Sequence, residues 1–172
     1  PGVLAAFGLS ADAMRAQFPR LIYVDIGAFG SKGPMAQRPG YELLMQAYGG
    51  LMSITGGVDA PPTRMGPSVV DLGTGMWAAI GVLSALVRRG VTGQGAHVEA
   101  SLFETAVSFS GIHMVNFLAS GEPPVRSADG FAGLAPYGGF PCADGTLIIG
   151  AGNDRLFVKL ASALGHPEWK DD

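Results

Sequence analysis

Asp71 is the residue of this 172-residue sequence best placed to do chemistry. It lies in Met65-Gly66-Pro67-Ser68-Val69-Val70-Asp71-Leu72-Gly73-Thr74-Gly75, at the head of the long apolar run that ends at Val87-Arg88-Arg89. Such a run belongs to a buried helix, and a lone charge is costly to bury without partners. A helix N-terminus offers unpaired N–H groups and the positive end of the macrodipole, both favourable to a carboxylate. Gly73 and Gly75 weaken the first turn by roughly 1 kcal/mol each relative to Ala, and they leave the backbone open to close approach by a ligand. Two readings are open on these residues alone: a capping or first-turn Asp, or a nucleophile.

Other reactive residue types are scattered. His113 lies on an apolar helix and reads as a satisfied core residue; His97 falls on an exposed strand face and His166 in a terminal loop. Gly93-Gln94-Gly95 reads as a hairpin turn before a phosphate cradle. Cys142 has no basic neighbour in sequence to activate it. As the sole cysteine it excludes an internal disulfide and a cysteine pair for zinc, which fits a reducing, cytoplasmic setting. Walker A, GxGxxG, GxSxG and HExxH patterns are absent. A formal net charge of −3 without a basic block argues against nucleic acid as a partner. Hydrophobic residues make up 48% and charged residues 15%, so a packed core is expected and disorder is not. The opening residues lack the basic and apolar regions of a secretory signal. Residues 69–87 are long enough to span a bilayer, but Asp71, two early glycines, Thr74 and Ser84 interrupt them. A helix buried in a soluble protein is therefore expected, and no membrane.

Several elements must position Asp71. Ser10 caps a helix over 11–17. Residues 21–26 form a nearly continuous apolar strand, as in a parallel sheet covered on both faces. The glycine-bearing loop Ala28-Phe29-Gly30-Ser31-Lys32-Gly33-Pro34 leaves its carboxyl end, where open α/β sheets tend to bind ligands. A helix from Tyr41-Glu42 to about 53 buries Leu43, Leu44, Ala47, Leu51 and Met52 and is interrupted at Gly49-Gly50. The helix that starts near Asp71 stops at Gly90. A strand follows over 96–100, then a helix over 102–118 capped by Ser101 with Glu104 at its third position. After a Gly/Pro-rich linker, residues 139–142 and 146–150 make a hairpin, followed by a helix over 154–163. The expected fold class is α/β: part of an open parallel-sheet (Rossmann-like) domain over 1–100, a helix and linker over 101–126, and the start of a smaller α+β domain over 127–172.

In order and spacing, these stretches resemble the family III CoA-transferases, the group that contains formyl-CoA and carnitine CoA-transferases and, as a branch, alpha-methylacyl-CoA racemase. The resemblance rests on Leu21-Ile22-Tyr23, Gly30, Gly33-Pro34, Arg38-Pro39-Gly40-Tyr41-Glu42, Gln46-Ala47 and Gly50-Leu51-Met52. It continues through Thr55-Gly56, Pro61-Pro62, Asp71, Thr74-Gly75, Arg88, Thr92-Gly93, Gly95, Val98, Asp144-Gly145 and His166-Pro167-Glu168-Trp169. It implies that Asp71 is a covalent nucleophile in the transfer of coenzyme A from an acyl-CoA to a carboxylic acid. Tyr41, Gly40, Glu42 and Arg38 would line the substrate and CoA site, and Gly138 and Gly139 would shield the reactive acyl group. The CoA thioester is then a substrate, with no further cofactor and no metal, and the whole protein would be an interlocked homodimer.

The alternative is an acyl-CoA racemase or epimerase of the same fold. That branch resembles this chain but places a His where Tyr41 stands and a Glu where Asn153 aligns, an acid/base pair that Tyr and Asn do not replace. The chain departs from the family at Ala6, where members commonly carry a cation for CoA; Arg38 and Lys32 are the candidate substitutes, with a solvated surface charge as the alternative reading of each. By the same resemblance the sequence is an internal fragment of a longer chain, expected to be inactive alone.

Overall fold

In the computed structural model, which describes residues 2–127, 130–131 and 133–171, two compact units are present. One comprises Pro1–Ile54 with Pro62–Pro124, the other Thr55–Pro61 with Val125–Asp172. The first unit runs through α1 (Val3–Ala6), α2 (Ala11–Gln17), β1 (Ile22–Gly27), α3 (Glu42–Tyr48), α4 (Leu51–Ile54) and α5 (Val69–Thr92). It finishes with β2 (Ala96–Ser101), α6 (Leu102–Phe109) and α7 (Gly111–Ser120). Ser10 caps α2, its Oγ accepting from the Ala13 N–H at 3.3 Å. β1 and β2 pair in parallel, from Ile22 opposite Ala96 to Gly27 opposite Ser101. Parallel neighbours need a long crossover, and here α3 to α5 supply it. The class is α/β, as expected.

Three boundaries differ from the sequence-based expectation. α5 runs through Gly90 and ends at Gly93, whose φ of 72° makes it the C-cap; a helix interior tolerates one glycine, whereas a left-handed cap favours it. Gly93-Gln94-Gly95 therefore joins a helix to a parallel strand and is not a hairpin turn. A Cβ on Gly95 would lie 1.8 Å from the Leu21 carbonyl oxygen, so β2 can start beside β1 only without a side chain there. The single helix expected over 102–118 is two, α6 and α7, meeting at Ser110. The Ser110 hydroxyl donates to the Gly49 carbonyl at 3.0 Å, tying the break to the end of α3. The α6 cap is as expected: the Glu104 N–H donates to Ser101 Oγ, and that hydroxyl donates to Glu104 Oε2 at 2.7 Å.

Phe29, Met45, Leu51, Val70 and Ala106 form the buried core of this unit. Phe29, Tyr48 and Phe103 add aromatic contacts with ring centroids 5.3, 5.6 and 5.8 Å apart. The buried stripe of α3 is Glu42, Met45 and Gln46. Leu43, Leu44 and Ala47, expected inside, are exposed instead. Polar side chains can occupy a buried stripe when their polar atoms find partners, and the side-chain oxygens and nitrogen of Glu42 and Gln46 all do.

In the second unit β3 (Tyr137–Cys142) and β4 (Gly145–Gly150) form an antiparallel hairpin, followed by α8 (Asp154–Ala163) and a 3-10 turn over Pro167–Asp171. Asn153 caps α8, its Oδ1 accepting from the Leu156 N–H at 3.0 Å. His166 stacks on Trp169 with ring centroids 4.3 Å apart and bonds Glu168 at 2.9 Å. The Arg126 guanidinium donates to the Ala60 carbonyl, fastening the Thr55–Pro61 excursion to this unit.

Candidate active site

The first turn of α5 is built by a side chain from α3. Of Val69, Val70 and Asp71, whose N–H groups have no intrahelical partner at the start of α5, Val69 donates to the Pro67 carbonyl at 2.9 Å; the first intrahelical bond runs from the Leu72 N–H to the Ser68 carbonyl at 3.0 Å. The other two go to Glu42: Asp71 N–H to Oε2 at 2.7 Å and Val70 N–H to Oε1 at 3.3 Å. Ser68, the residue in the N-cap position, makes no side-chain cap bond. Glu42 thus supplies from outside the helix the two acceptors that a Ser, Asp or Asn cap provides only in part.

Behind Glu42 stands Gln46, one helical turn further along α3. Its Nε2 donates to Glu42 Oε1 at 2.6 Å, and its Oε1 accepts from the Met65 N–H at 2.9 Å. Gln46 is 0% exposed and Glu42 8%. The amide orientation follows from chemistry: Met65 offers only a donor and Glu42 an acceptor, so a flipped amide would oppose like with like. Sequence reasoning did not single out Gln46. Its signal was the Glu-x-x-x-Gln spacing, which puts both side chains on one helix face.

Asp71 itself is exposed, and among the described residues nothing hydrogen-bonds to its carboxylate. Asp71 does not cap α5, because Glu42 does that work through the Asp71 N–H; it does stand in the first turn of the helix, so that half of the structural reading holds. The glycines divide. A Cβ on Gly73 would come within 2.5 Å of the Phe109 ring and 2.8 Å of Thr105, so Gly73 serves helix packing and not ligand access. Thr74 also faces inward, its Oγ1 2.7 Å from the Val70 carbonyl oxygen and 2.8 Å from Thr105 Oγ1, with one hydroxyl proton to serve the two contacts. Only Gly75, one turn beyond Asp71, is exposed with open space around it.

At the carboxyl ends of β1 and β2 lies a cavity of about 480 Å³ whose lining includes Asp25, Gly30, Arg38, Gly40, Tyr41 and Glu99. Of the sequence-predicted residues, Arg38, Gly40 and Tyr41 meet here. Tyr41 is 83% exposed, and it precedes Glu42, the residue that holds the Asp71 N–H. Arg38 is exposed at the rim. Neither Asp71 nor Glu42 lines this cavity, and Glu42, expected at the substrate site, is instead buried with both oxygens engaged at the start of α5. Asp25 bonds His97 across the strand pair at 2.8 Å. Desolvation, and then the Asp25 charge, push the neighbouring Tyr23 phenol above its ordinary pKa. Gly138 and Gly139 belong to the second unit, held in β3 opposite Ile149 and Ile148. Among the described residues, no group of three or more His, Cys, Asp or Glu is placed to hold a metal.

The parallel α/β unit thus has a cavity at its strand ends and an exposed carboxylate, outside that lining, on a clamped helix start. The comparisons give the family. A family model described as CoA-transferase family III matches residues 1–172, and the chain belongs to that family. It is 36% identical over 169 residues to the succinate–glutarate CoA-transferase of Agrobacterium fabrum, covering 98% of this chain and 42% of that protein. It is 37% identical to the acetyl-CoA:oxalate CoA-transferase of Acetobacter aceti, covering 100% of this chain and 44% of the relative. Among solved structures, a CAIB/BAIF family protein from Brucella suis superposes with a TM-score of 0.82 at 38% identity, over 99% of this chain and 45% of that one. The chain thus spans less than half the length of these relatives.

Proposed function

We propose that the protein carrying this chain transfers coenzyme A from an acyl-CoA to a carboxylic acid through covalent intermediates on Asp71. The observation that carries this reading is the clamp. A buried Glu spends both oxygens on the helix start, which leaves the Asp71 carboxylate exposed and unbonded among the described residues. Carboxylates as a class are ionised near neutral pH, so such a nucleophile needs no general base.

The sequence of bonds balances without a redox or metal step. An Asp71 oxygen attacks the thioester carbonyl, giving a mixed anhydride and CoA thiolate. The thiolate then attacks the aspartyl carbonyl, forming an aspartyl-CoA thioester and releasing the donor acid. The acceptor carboxylate attacks that thioester, giving a second anhydride, and the thiolate takes the acceptor acyl group and restores Asp71. Keeping both fragments bound makes each return step effectively unimolecular, worth up to about 7–11 kcal/mol of barrier. Tyr41, Gly40 and Arg38 are the lining groups for substrate. Gly138 and Gly139 remain the candidates for shielding the anhydride. Several relatives are named for short dicarboxylic acids, including succinate, glutarate and oxalate, so a short dicarboxylate is the first acceptor to assay. The dimeric state is part of the same proposal.

Hydroxylamine added to the intact protein during turnover with succinyl-CoA should convert Asp71 to a hydroxamate, read by peptide mass spectrometry. Turnover with an unmodified Asp71 counts against the covalent route. Deuterium wash-in at the α-carbon of an acyl-CoA, without transfer, would favour racemisation instead.

A further inference from the structure

The buried amide of Gln46 contacts neither the exposed carboxylate nor the cavity, yet it completes a relay that ends on the nucleophile's own backbone. The relay runs from the Met65 N–H to Gln46 Oε1 at 2.9 Å, from Gln46 Nε2 to Glu42 Oε1 at 2.6 Å, and from Glu42 Oε2 to the Asp71 N–H at 2.7 Å. Glu42 Oε1 also receives the Val70 N–H. Among the described residues, Gln46 makes the one bond to the Glu42 carboxylate that does not come from the helix being capped, so it alone ties the orientation of that group to α3, and a half-satisfied buried network is worse than none.

We infer that Gln46 is a positioning residue for the transfer reaction: its amide sets the rotation of the Glu42 carboxylate and thereby the direction of the first turn of α5 that presents Asp71. The inference rests on the reading of Asp71 as nucleophile and goes beyond it. It predicts that activity depends on a donor at position 46, not on volume there. A displacement of the reacting atom by about 1 Å can cost on the order of 100-fold in rate, so a modest rotation of the clamp suffices to be seen.

The charged groups around the clamp are few. α3 carries Glu42 alone, and α4 carries none. α5 carries Asp71 at its start and Arg88 and Arg89 at its far end, and α6 carries Glu104, whose carboxylate accepts from Ser101. Arg64, in the loop before α5, is spent on the Gly66 carbonyl and Ser68 Oγ. No cation among these bonds Glu42, so a second carboxyl group placed against it must share a proton or repel it.

The test is Gln46→Glu in the intact protein. One oxygen still accepts from Met65; the other meets Glu42 and can donate only while protonated. At low pH the protonated pair restores the relay, and as pH rises the proton leaves, two carboxylates face each other and the clamp opens. The ratio of kcat at pH 6 to kcat at pH 8 should rise at least about tenfold over the parent, with the circular dichroism unchanged between the two. Gln46→Met, near in volume but with no donor, should lower kcat about tenfold or more at both pH values and leave KM within about threefold. A parental pH profile in Gln46→Glu, or parental kcat in Gln46→Met, overturns the inference. So does failure of both variants to fold, which would make Gln46 a folding residue. Hydroxylamine trapping on the parent separates the two levels: no Asp71 adduct there sinks the nucleophile reading, whereas an adduct with an unmoved pH profile sinks only the role of Gln46.

Discussion

Because Glu42 carries the cap, the side chain of Asp71 is free of the structural duty that an Asp near a helix start usually has. Asp71→Asn should therefore leave folding almost untouched, costing at most the dipole interaction of about 0.3–1 kcal/mol. If Asp71 is the nucleophile, turnover should fall by at least about three orders of magnitude, near 4 kcal/mol of transition-state stabilisation. Paired measurements of kcat and thermal unfolding on the intact protein check this, and more than about a tenth of parental turnover would remove Asp71 from the chemistry. The place of Asp71 in the first turn of a helix was legible in the sequence, because a charge in an apolar run needs a reason; its role as nucleophile rests on the family resemblance and was not. Nor was the clamp beneath it. Its bonds reach across 19 to 29 residues of chain, a separation no local pattern reports. Leu43 and Leu44 supplied a misleading one, since apolar residues beside a buried polar pair look like the core.

At the scale of elements, the two glycines after Asp71 have opposite surroundings. Gly73→Ala drives a methyl against Phe109 and Thr105, and overpacking of that kind costs about 1–3 kcal/mol. Gly75→Ala meets nothing within 4 Å and should stabilise α5 by up to about 1 kcal/mol. Thermal unfolding of the two variants should move in opposite directions; a shared direction would mean that packing against α6 is not what selects Gly73. That residues 21–26 form a strand of a parallel sheet was readable from their apolar continuity, and the break at Gly49-Gly50 from its paired glycines; that β2 is the parallel partner was not. The end of α5 and the division at Ser110 were not, because each depends on what the backbone meets in space: a left-handed cap at Gly93, a carbonyl of Gly49 at Ser110.

For the whole molecule, the family relation and the surface make one prediction. The chain spans 42% and 44% of the two transferases described above. α5 is apolar enough to cross a bilayer, yet only 28% of its most apolar window is buried here. Leu72, Met76, Trp77, Leu83 and Val87 are exposed along it, and exposed apolar surface of this kind favours association. Expressed alone, residues 1–172 should self-associate and show no CoA transfer. A monodisperse preparation that turns over acyl-CoA would refute this.

The Thr55–Pro61 excursion carries a different consequence, one of timing and not of architecture. This strap leaves the ribosome well before Arg126, the residue that fastens it, because α5, β2, α6 and α7 lie between. At about 5–20 residues per second of synthesis, the delay is on the order of 3–13 s, far longer than a loop needs to close. The nascent chain therefore samples its first unit with that strap unfastened, and the second unit can complete itself only by recapturing a segment made earlier. Exchanging the second unit by cutting at Pro124 alone would leave the strap behind without its clasp, so a functional graft needs both pieces moved together.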